Sequence, residues 1–271
     1  MQQDAVPTRA SAGGSLSRQD DRTGSARPVR DAGGQAGELR GGLSPQELER
    51  WAGRLETAAP EEILAWALER FSGRLALACS FQAEDVVLVD MLHRLGGLDQ
   101  VTVFYLETGL HFPETHATRQ RVARRYGVEP VAVTPALTLE EQATRYGDRL
   151  WARDPDLCCR LRKVEPLWRF LQGFSAWITG IRREQTPARA GARVVEADRR
   201  FGLVKVNPLV RWKRDEVWAY VQHHGVPYNP LHDRGYPSIG CAPCTRPVAP
   251  GQDPRAGRWG GFQKTECGLH A

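Results

Sequence analysis

The sequence predicts an α/β fold, a parallel sheet with helices on both faces, and two observations carry that expectation. Four short apolar runs, Arg74 to Cys79, Val101 to Leu106, Val128 to Val133 and Ala176 to Thr179, are spaced by segments of helical character such as Ala83 to Leu95 and Thr115 to Tyr126. Strands that alternate with helices pair in parallel, because each return to the sheet needs a crossover. The second observation is the polar character of the turns that leave these runs. Ser80 to Asp85 succeeds the first, Glu107-Thr108-Gly109 the second and Gly180-Ile181-Arg182-Arg183 the fourth. Ligands of open parallel sheets sit outside the carboxyl ends of the strands, so these polar turns converge on an edge suited to a nucleotide-sized ligand.

The flanking segments divide the chain into three. Residues 1 to 43 are rich in Gly, Ser, Ala, Arg and Asp with almost no large apolar side chain, and such a segment is expected to be disordered. Order is expected from Ser44, where Ser44-Pro45-Gln46-Glu47 forms a capping box with proline at the first helical position. A second helix is expected from Pro60, with Ile63, Leu64, Trp66, Ala67 and Phe71 at helical spacing. One more amphipathic helix runs from beyond Lys213 to His224, and from Gly225 the chain is rich in Gly, Pro and Arg without a period. The expected division is an extension over 1–43, a nucleotide-binding domain over 44–240 and a C-terminal segment over 241–271 that ends in a mobile tail.

A chain of 271 residues with 41% hydrophobic side chains can bury a core. It contains no apolar run long enough to cross a bilayer and no secretory signal, which excludes a membrane role and points to the cytoplasm. The 37 Lys and Arg against 32 Asp and Glu leave a net charge of +5, which suits an anionic partner without choosing between nucleic acid and nucleotide. Six cysteines without an export signal argue for metal binding or thiol chemistry over a disulfide framework.

Four of these cysteines form two tight pairs, Cys158-Cys159 and Cys241-x-x-Cys244. Such a set serves a four-iron cluster or zinc, or consists of unliganded thiols. Neighbouring side chains point apart, which favours the corners of a cube over one small ion. Lys163, one turn beyond Cys159, faces the same way and can place a positive charge between a cluster and an anionic substrate. Cys79 reads as a core residue. Cys267 stands outside both pairs near the terminus, after Arg246, Arg255, Arg258 and Lys264. Cations lower a thiol pKa, so Cys267 is the candidate nucleophile, against the alternative of an inconsequential surface thiol. His270 is either its base or a spectator. The turn Ser80 to Asp85 can offer free amide N–H groups to an anion, although it lacks a Walker ending. Arg182, Arg183 and Arg189 are either a solvated charge run or a grip on that anion.

Taken together, these motifs resemble the assimilatory adenylyl-sulfate (APS) reductases of the phosphoadenylyl-sulfate (PAPS) reductase family. The similarity runs through Ser80-Phe81-Gln82-Ala83-Glu84-Asp85, Leu106-Glu107-Thr108-Gly109 with Phe112-Pro113-Glu114-Thr115, Cys158-Cys159 with Lys163, and Thr179-Gly180-Ile181-Arg182-Arg183-Glu184-Gln185. It continues through Tyr228-Asn229-Pro230-Leu231-His232, Gly235-Tyr236-Pro237-Ser238-Ile239-Gly240-Cys241, Cys244-Thr245-Arg246-Pro247 and Glu266-Cys267-Gly268-Leu269-His270. It covers about residues 45 to 271; Glu107, where Asp is frequent, and variation at His111 and His116 are small departures.

The resemblance implies an adenine nucleotide α-hydrolase-like, Rossmann-like domain and a two-step reaction. Cys267 would attack the sulfur of APS and displace AMP, and thioredoxin or a similar dithiol protein would then release sulfite. It implies a [4Fe–4S] cluster on Cys158, Cys159, Cys241 and Cys244 that acts structurally and electrostatically. Lys163, Arg255 and Arg258 would lie near the phosphosulfate, Arg189 and Ser80 would help to hold it, and Leu106, Thr108 and Gly180 would contact the adenosine. The PAPS-preferring branch generally lacks both cysteine pairs, so APS is the expected substrate, with PAPS or dual use as the alternative. Nucleic acid is not an expected partner, and a homo-oligomer is compatible with the sequence. Two other classes fit less. A tRNA thiolation enzyme would want a Ser-Gly-Gly-x-Asp-Ser loop, and a zinc or cluster nucleic-acid binder leaves the strand-end turns unexplained.

Overall fold

The computed structural model describes residues 39–270. Six strands form one sheet: β1 (Leu75–Ala78), β2 (Val101–Leu106), β3 (Val131–Val133), β4 (Ala176–Ile178), β5 (Val195–Asp198) and β6 (Leu203–Val206), in the order β3-β2-β1-β4-β6-β5. All pairings are parallel except that of β5 with β6. The chain leaves β1 towards β2 and β3 and later returns to its other side with β4. The strand order therefore reverses between β1 and β4, and that crevice is where a doubly wound sheet binds its ligand.

The central strands β1 and β4 are continuously apolar because both faces are covered. Leu75, Leu77, Val103, Tyr105, Ile178 and Val206 face one core, while Ala76, Phe104, Trp177 and Leu203 face the other. The first core is closed by α1 (Pro45–Leu55), α2 (Pro60–Phe71), α3 (Ala83–Arg94), α4 (Pro113–Tyr126) and α8 (Arg214–His224), whose buried residues join it. Between α4 and α8 the chain forms α5 (Leu139–Tyr146), α6 (Pro155–Cys159) and α7 (Glu165–Leu171), and α7 sends Leu167 and Leu171 into the second core. The capping box at Ser44 is present: its Oγ accepts from the Glu47 amide at 3.2 Å, and its own amide donates to Glu47 Oε2 at 3.0 Å.

The structure departs from expectation at the start of the described residues. Residues 1–38 of the expected disordered extension lie outside the described residues, but 39–43 are packed. Leu43 is 1% exposed, Arg40 donates to Gln172 Oε1 at 2.6 Å, and Gly41 lies so close to Val204 that a Cβ would meet it at 2.9 Å. One leucine and a glycine that admits close backbone approach extend the core ahead of the capping box. At the other end the tail, expected to open and close over the site, lies docked. Leu269 packs against the second core, and the His270 ring stacks on Trp177 at 5.5 Å and 13°. Both sides of residue 240 belong to one compact unit, tied by Ala242 N–H to Leu110 O at 2.7 Å.

Candidate active site

After β1 the chain enters α3 through a strained turn. Phe81 has φ 61°, a left-handed conformation that bulky residues rarely adopt. Its ring, 1% exposed and 5.5 Å from that of Tyr105, anchors the turn. Ser80 closes the loop by donating from its amide and its hydroxyl to Asp85 Oδ2, at 2.7 and 2.5 Å. The first amides of α3 have no helical acceptor, so this turn presents N–H groups at the crevice. Burial pushes the Asp85 carboxyl up to about 6, against the hydrogen bonds from Ser80.

The crevice holds a cavity of about 240 Å³. Ser80, Leu106, Thr108, Lys163, Gly180, Arg189, Arg255, Arg258 and Cys267 all line it, so the residues that the resemblance assigns to substrate and catalysis are brought to one place. Of the arginine run, Arg182 lines the cavity but is paired with Glu84 at 3.0 Å, while Arg183 turns away to Glu56 at 2.7 Å and does not line it.

The cations differ in what holds them. Arg258 stacks on the Trp259 ring at 4.5 Å and donates to Ser238 Oγ at 3.0 Å, crossing Gly240 where a Cβ would collide with its guanidinium. Arg255 donates to Thr265 O at 2.6 Å and pairs with Glu266 at 3.3 Å; burial lowers its pKa to about 10. Arg189 makes a two-pronged pair with Glu266, Nε to Oε1 and Nη2 to Oε2, each at 2.8 Å. Lys163 is buried and makes no ion pair among the described residues. Burial opposes its charge, but the neighbouring Cys241, Cys267 and Cys159 outweigh burial and raise its pKa. Lys264 pairs with Asp156 and lies 5.5 Å from the Trp259 ring.

Cys158, Cys159, Cys241 and Cys244 converge on a second, small cavity walled by Leu110, Trp151, Trp259, Arg162 and Lys163. Asp154 caps α6 by accepting from the Leu157 amide at 2.9 Å. A π turn over Arg160–Val164 then joins α6 to α7, with the Glu165 amide bonded five residues back to Arg160 O. Pro166, which has no N–H to give Arg162 O, suits this interruption. Burial and the other three thiols push Cys158 up to about 12, and burial with Cys241 pushes Cys244 up to about 11. Thr108 Oγ1 lies 3.4 Å from Cys241 Sγ. Among the described residues no three His, Cys, Asp or Glu gather as ligands of one metal ion do. Four crowded thiols beside Arg162 and Lys163 nonetheless suit a soft cationic group, since binding one would relieve their mutual repulsion. Cys79, as expected, is buried in the core, and burial raises its pKa well above the ordinary thiol value.

Two contributors have no role assigned from the sequence. Trp177 reads as a strand residue, yet it also lines the cavity and carries His270, whose pKa burial holds well below the ordinary value. Glu266 belongs to the terminal Glu266-Cys267-Gly268-Leu269-His270 motif, where nothing foretells its burial against Arg189. Only tertiary contact reveals either.

Residues 74–247 match the family described as phosphoadenosine phosphosulfate reductase domain. The chain is 50% identical over 233 residues to a Gloeobacter violaceus protein named phosphoadenosine 5'-phosphosulfate reductase, covering 85% of this chain and 96% of that one. It is 48% identical over 217 residues to a Halalkalibacterium halodurans protein named adenosine 5'-phosphosulfate reductase, covering 80% and 93%. The crystal structure of the PAPS reductase from Candida auris, a phosphate complex, superposes with a TM-score of 0.67 at 33% identity, covering 75% of this chain and 98% of that one. A family match over most of the chain, relatives covered nearly end to end and a shared fold carry one conclusion: this protein belongs to the phosphoadenosine phosphosulfate reductase family.

Proposed function

We propose that this protein reduces APS to sulfite and AMP, as an oxidoreductase of assimilatory sulfate reduction. The observation that carries the reading is the meeting of Cys267 with Lys163, Arg255 and Arg258 in one cavity at the strand-order reversal. In the first step the Cys267 thiolate attacks the sulfonate sulfur, the sulfur–oxygen bond to the phosphate breaks, and AMP leaves with the electron pair. Lys163 and Arg258 stabilise the charge that grows on the departing phosphate, because fixed cations in a buried site need little reorganisation. The N–H groups of the Ser80 turn hold the anion, and Leu106, Thr108 and Gly180 bound the adenosine. In the second step a dithiol protein such as thioredoxin attacks Cys267 Sγ and expels sulfite. The resulting mixed disulfide is resolved by the dithiol's second thiol, so the dithiol is oxidised by two electrons.

Cys158, Cys159, Cys241 and Cys244 would hold a [4Fe–4S] cluster, and the thiol-lined cavity beside Lys163 supports that assignment. When bound, the cluster supplies a rigid, charged wall beside the site. This reading includes a cytoplasmic location, in keeping with the lack of any helix among the described residues long and apolar enough to cross a membrane. APS is chosen over PAPS because of the two cysteine pairs, while the Gloeobacter relative's name favours a second reading in which PAPS is also used. The decisive experiment measures sulfite release from APS and from PAPS with thioredoxin supplied. Turnover of APS is expected, and release from neither nucleotide would overturn the assignment.

A further inference from the structure

We propose that Glu266 is the positioning residue that seats the nucleophile, and that Arg189 is its dock. Glu266 immediately precedes Cys267, so whatever fixes its carboxylate limits where the thiol can go. Four donors fix it: Arg189 Nε and Nη2 at 2.8 Å each, Thr186 Oγ1 at 2.9 Å and Arg255 Nη2 at 3.3 Å. The pair is almost closed to water, with 9% of the Arg189 side chain and 8% of the Glu266 side chain exposed. An enclosed two-pronged pair of this kind holds orientation as well as charge. Burial opposes the Glu266 charge, and Arg189 outweighs burial and keeps the carboxyl below its ordinary value.

Arg189 is itself held in place: besides its two bonds to Glu266, Nη1 donates to Gln185 Oε1 at 2.5 Å, so three of its five N–H groups are engaged. Gln185 in turn donates from Nε2 to Glu84 Oε1 at 3.1 Å. Glu84 belongs to the first turn of α3, so a polar chain runs from the anion-binding turn through Gln185, Arg189 and Glu266 to Cys267. The cavity stays open with this dock made, and Lys163 and Arg258 still line it. The docked tail is therefore the arrangement in which the nucleophile meets bound substrate, and Glu266 is not a stand-in anion that substrate must displace.

The proposal rests on Cys267 being the nucleophile, and the experiment separates the two. AMP release from APS is measured in a single turnover without reductant, AMP affinity is measured on the Cys267→Ser background, and the rate of Cys267 alkylation by iodoacetamide is measured on the substrate-free protein. Glu266→Gln, which keeps shape and removes charge, should slow AMP release roughly 10-fold or more, since small misplacements cost that much. It should leave AMP affinity within about 2-fold, as a step-specific loss requires, and alkylation should speed up as the tail loosens. The exchanged pair Glu266→Arg with Arg189→Glu should recover part of both losses, which a merely destabilised fold would not. Wild-type AMP release and alkylation in Glu266→Gln would overturn the proposal, as would tighter AMP binding in that variant. Should wild-type protein release no AMP from APS or PAPS, the functional reading fails, and the alkylation rates still decide whether Glu266 holds the tail.

Discussion

Gly180 lies against Asp85 so closely that a Cβ on it would overlap the Asp85 carboxylate and stand 3.2 Å from the Asp85 amide nitrogen. The end of β4 and the first turn of α3 thus touch through a missing side chain, on opposite walls of the crevice. Gly180→Ala should displace that turn. Overpacking of this kind costs about 1–3 kcal/mol, and the displaced amides should also weaken AMP binding about 10-fold, the equivalent of ~1.4 kcal/mol. Urea unfolding and titration calorimetry with AMP measure the two effects. A destabilised variant with wild-type AMP affinity would show that the turn does not bind the nucleotide.

Asp85 gives this contact a pH dependence. Burial pushes its carboxyl up to about 6, whereas in the unfolded chain it titrates near the ordinary value of about 3.9. The folded protein therefore holds the proton more tightly than the unfolded chain. The associated stability is fully present below about pH 4 and is lost as pH rises through about 6. Asp85→Asn, which does not titrate, should be less sensitive to pH across that window. The measurement is the difference in urea midpoints between wild type and variant at pH 4, 5, 6 and 7. A difference that stays constant over the series would contradict the assignment of this carboxyl.

The cysteine cavity predicts a paired loss. Each of Cys158→Ser, Cys159→Ser, Cys241→Ser and Cys244→Ser should lose iron content and sulfite production together, because a hydroxyl is a poor replacement for a soft thiolate. Wild-type protein should be brown and absorb broadly at about 400 nm, as iron ligated by cysteine does. Iron analysis and the visible spectrum of anaerobically purified protein provide the check. Full iron in all four variants, or zinc in place of iron, would reject the cluster.

Much of this site is legible in the sequence, and the limits have physical causes. The Ser80 turn, the turn bearing Thr108 and the Gly180 turn can be read because a parallel sheet sends every strand-end turn to one edge. Leu203–Val206 and Val195–Asp198 do not stand out as strands: Lys205 interrupts one and Glu196 and Asp198 the other, so neither shows as an apolar run. Their pairing beyond β4 is set by tertiary contact. The π turn is also invisible in the sequence. Lys163 is expected to face the cysteine side, and it does line both cavities, but through an interrupted helix. Composition makes the docked tail read as mobile, because Glu266 and His270 carry no sign of the Arg189 and Trp177 that receive them.

Lys163 offers the sharpest test of electrostatics. It is a buried cation with no acidic partner among the described residues, and the neighbouring Cys241, Cys267 and Cys159 keep it charged against burial. Lys163→Ala should therefore still fold, with a urea midpoint at or below that of wild type, while sulfite production falls about 100-fold, the scale of one lost stabiliser of transition-state charge. Steady-state rates and the unfolding curve of the same preparation settle the point. Wild-type turnover in a folded variant would remove Lys163 from the mechanism.

Cys267 carries the whole functional reading. It lines the cavity beside Lys163, and the residues on either side of it are held by the enzyme: Glu266 by Arg189, and Gly268 by Arg200, which donates to its carbonyl oxygen. A thiol so placed faces the site of a bound sulfonyl group, and the tail is expected to open after the first step to present the adduct to a dithiol protein. Without a reductant the reaction should therefore stop halfway. Mixing the protein with APS should release about one AMP per site and add about 80 Da to the peptide that contains Cys267, as covalent catalysis stalled at its intermediate requires. Later addition of thioredoxin should release sulfite and restore the original mass. Cys267→Ser should bind AMP with unchanged affinity, because Lys163, Arg255 and Arg258 are untouched, and should form no adduct. Peptide mass spectrometry locates the added group. If it appears on another cysteine, such as Cys79 or Cys241 of the same cavity, or if Cys267→Ser still makes sulfite, the nucleophile is not Cys267 and the tail's docking serves another purpose.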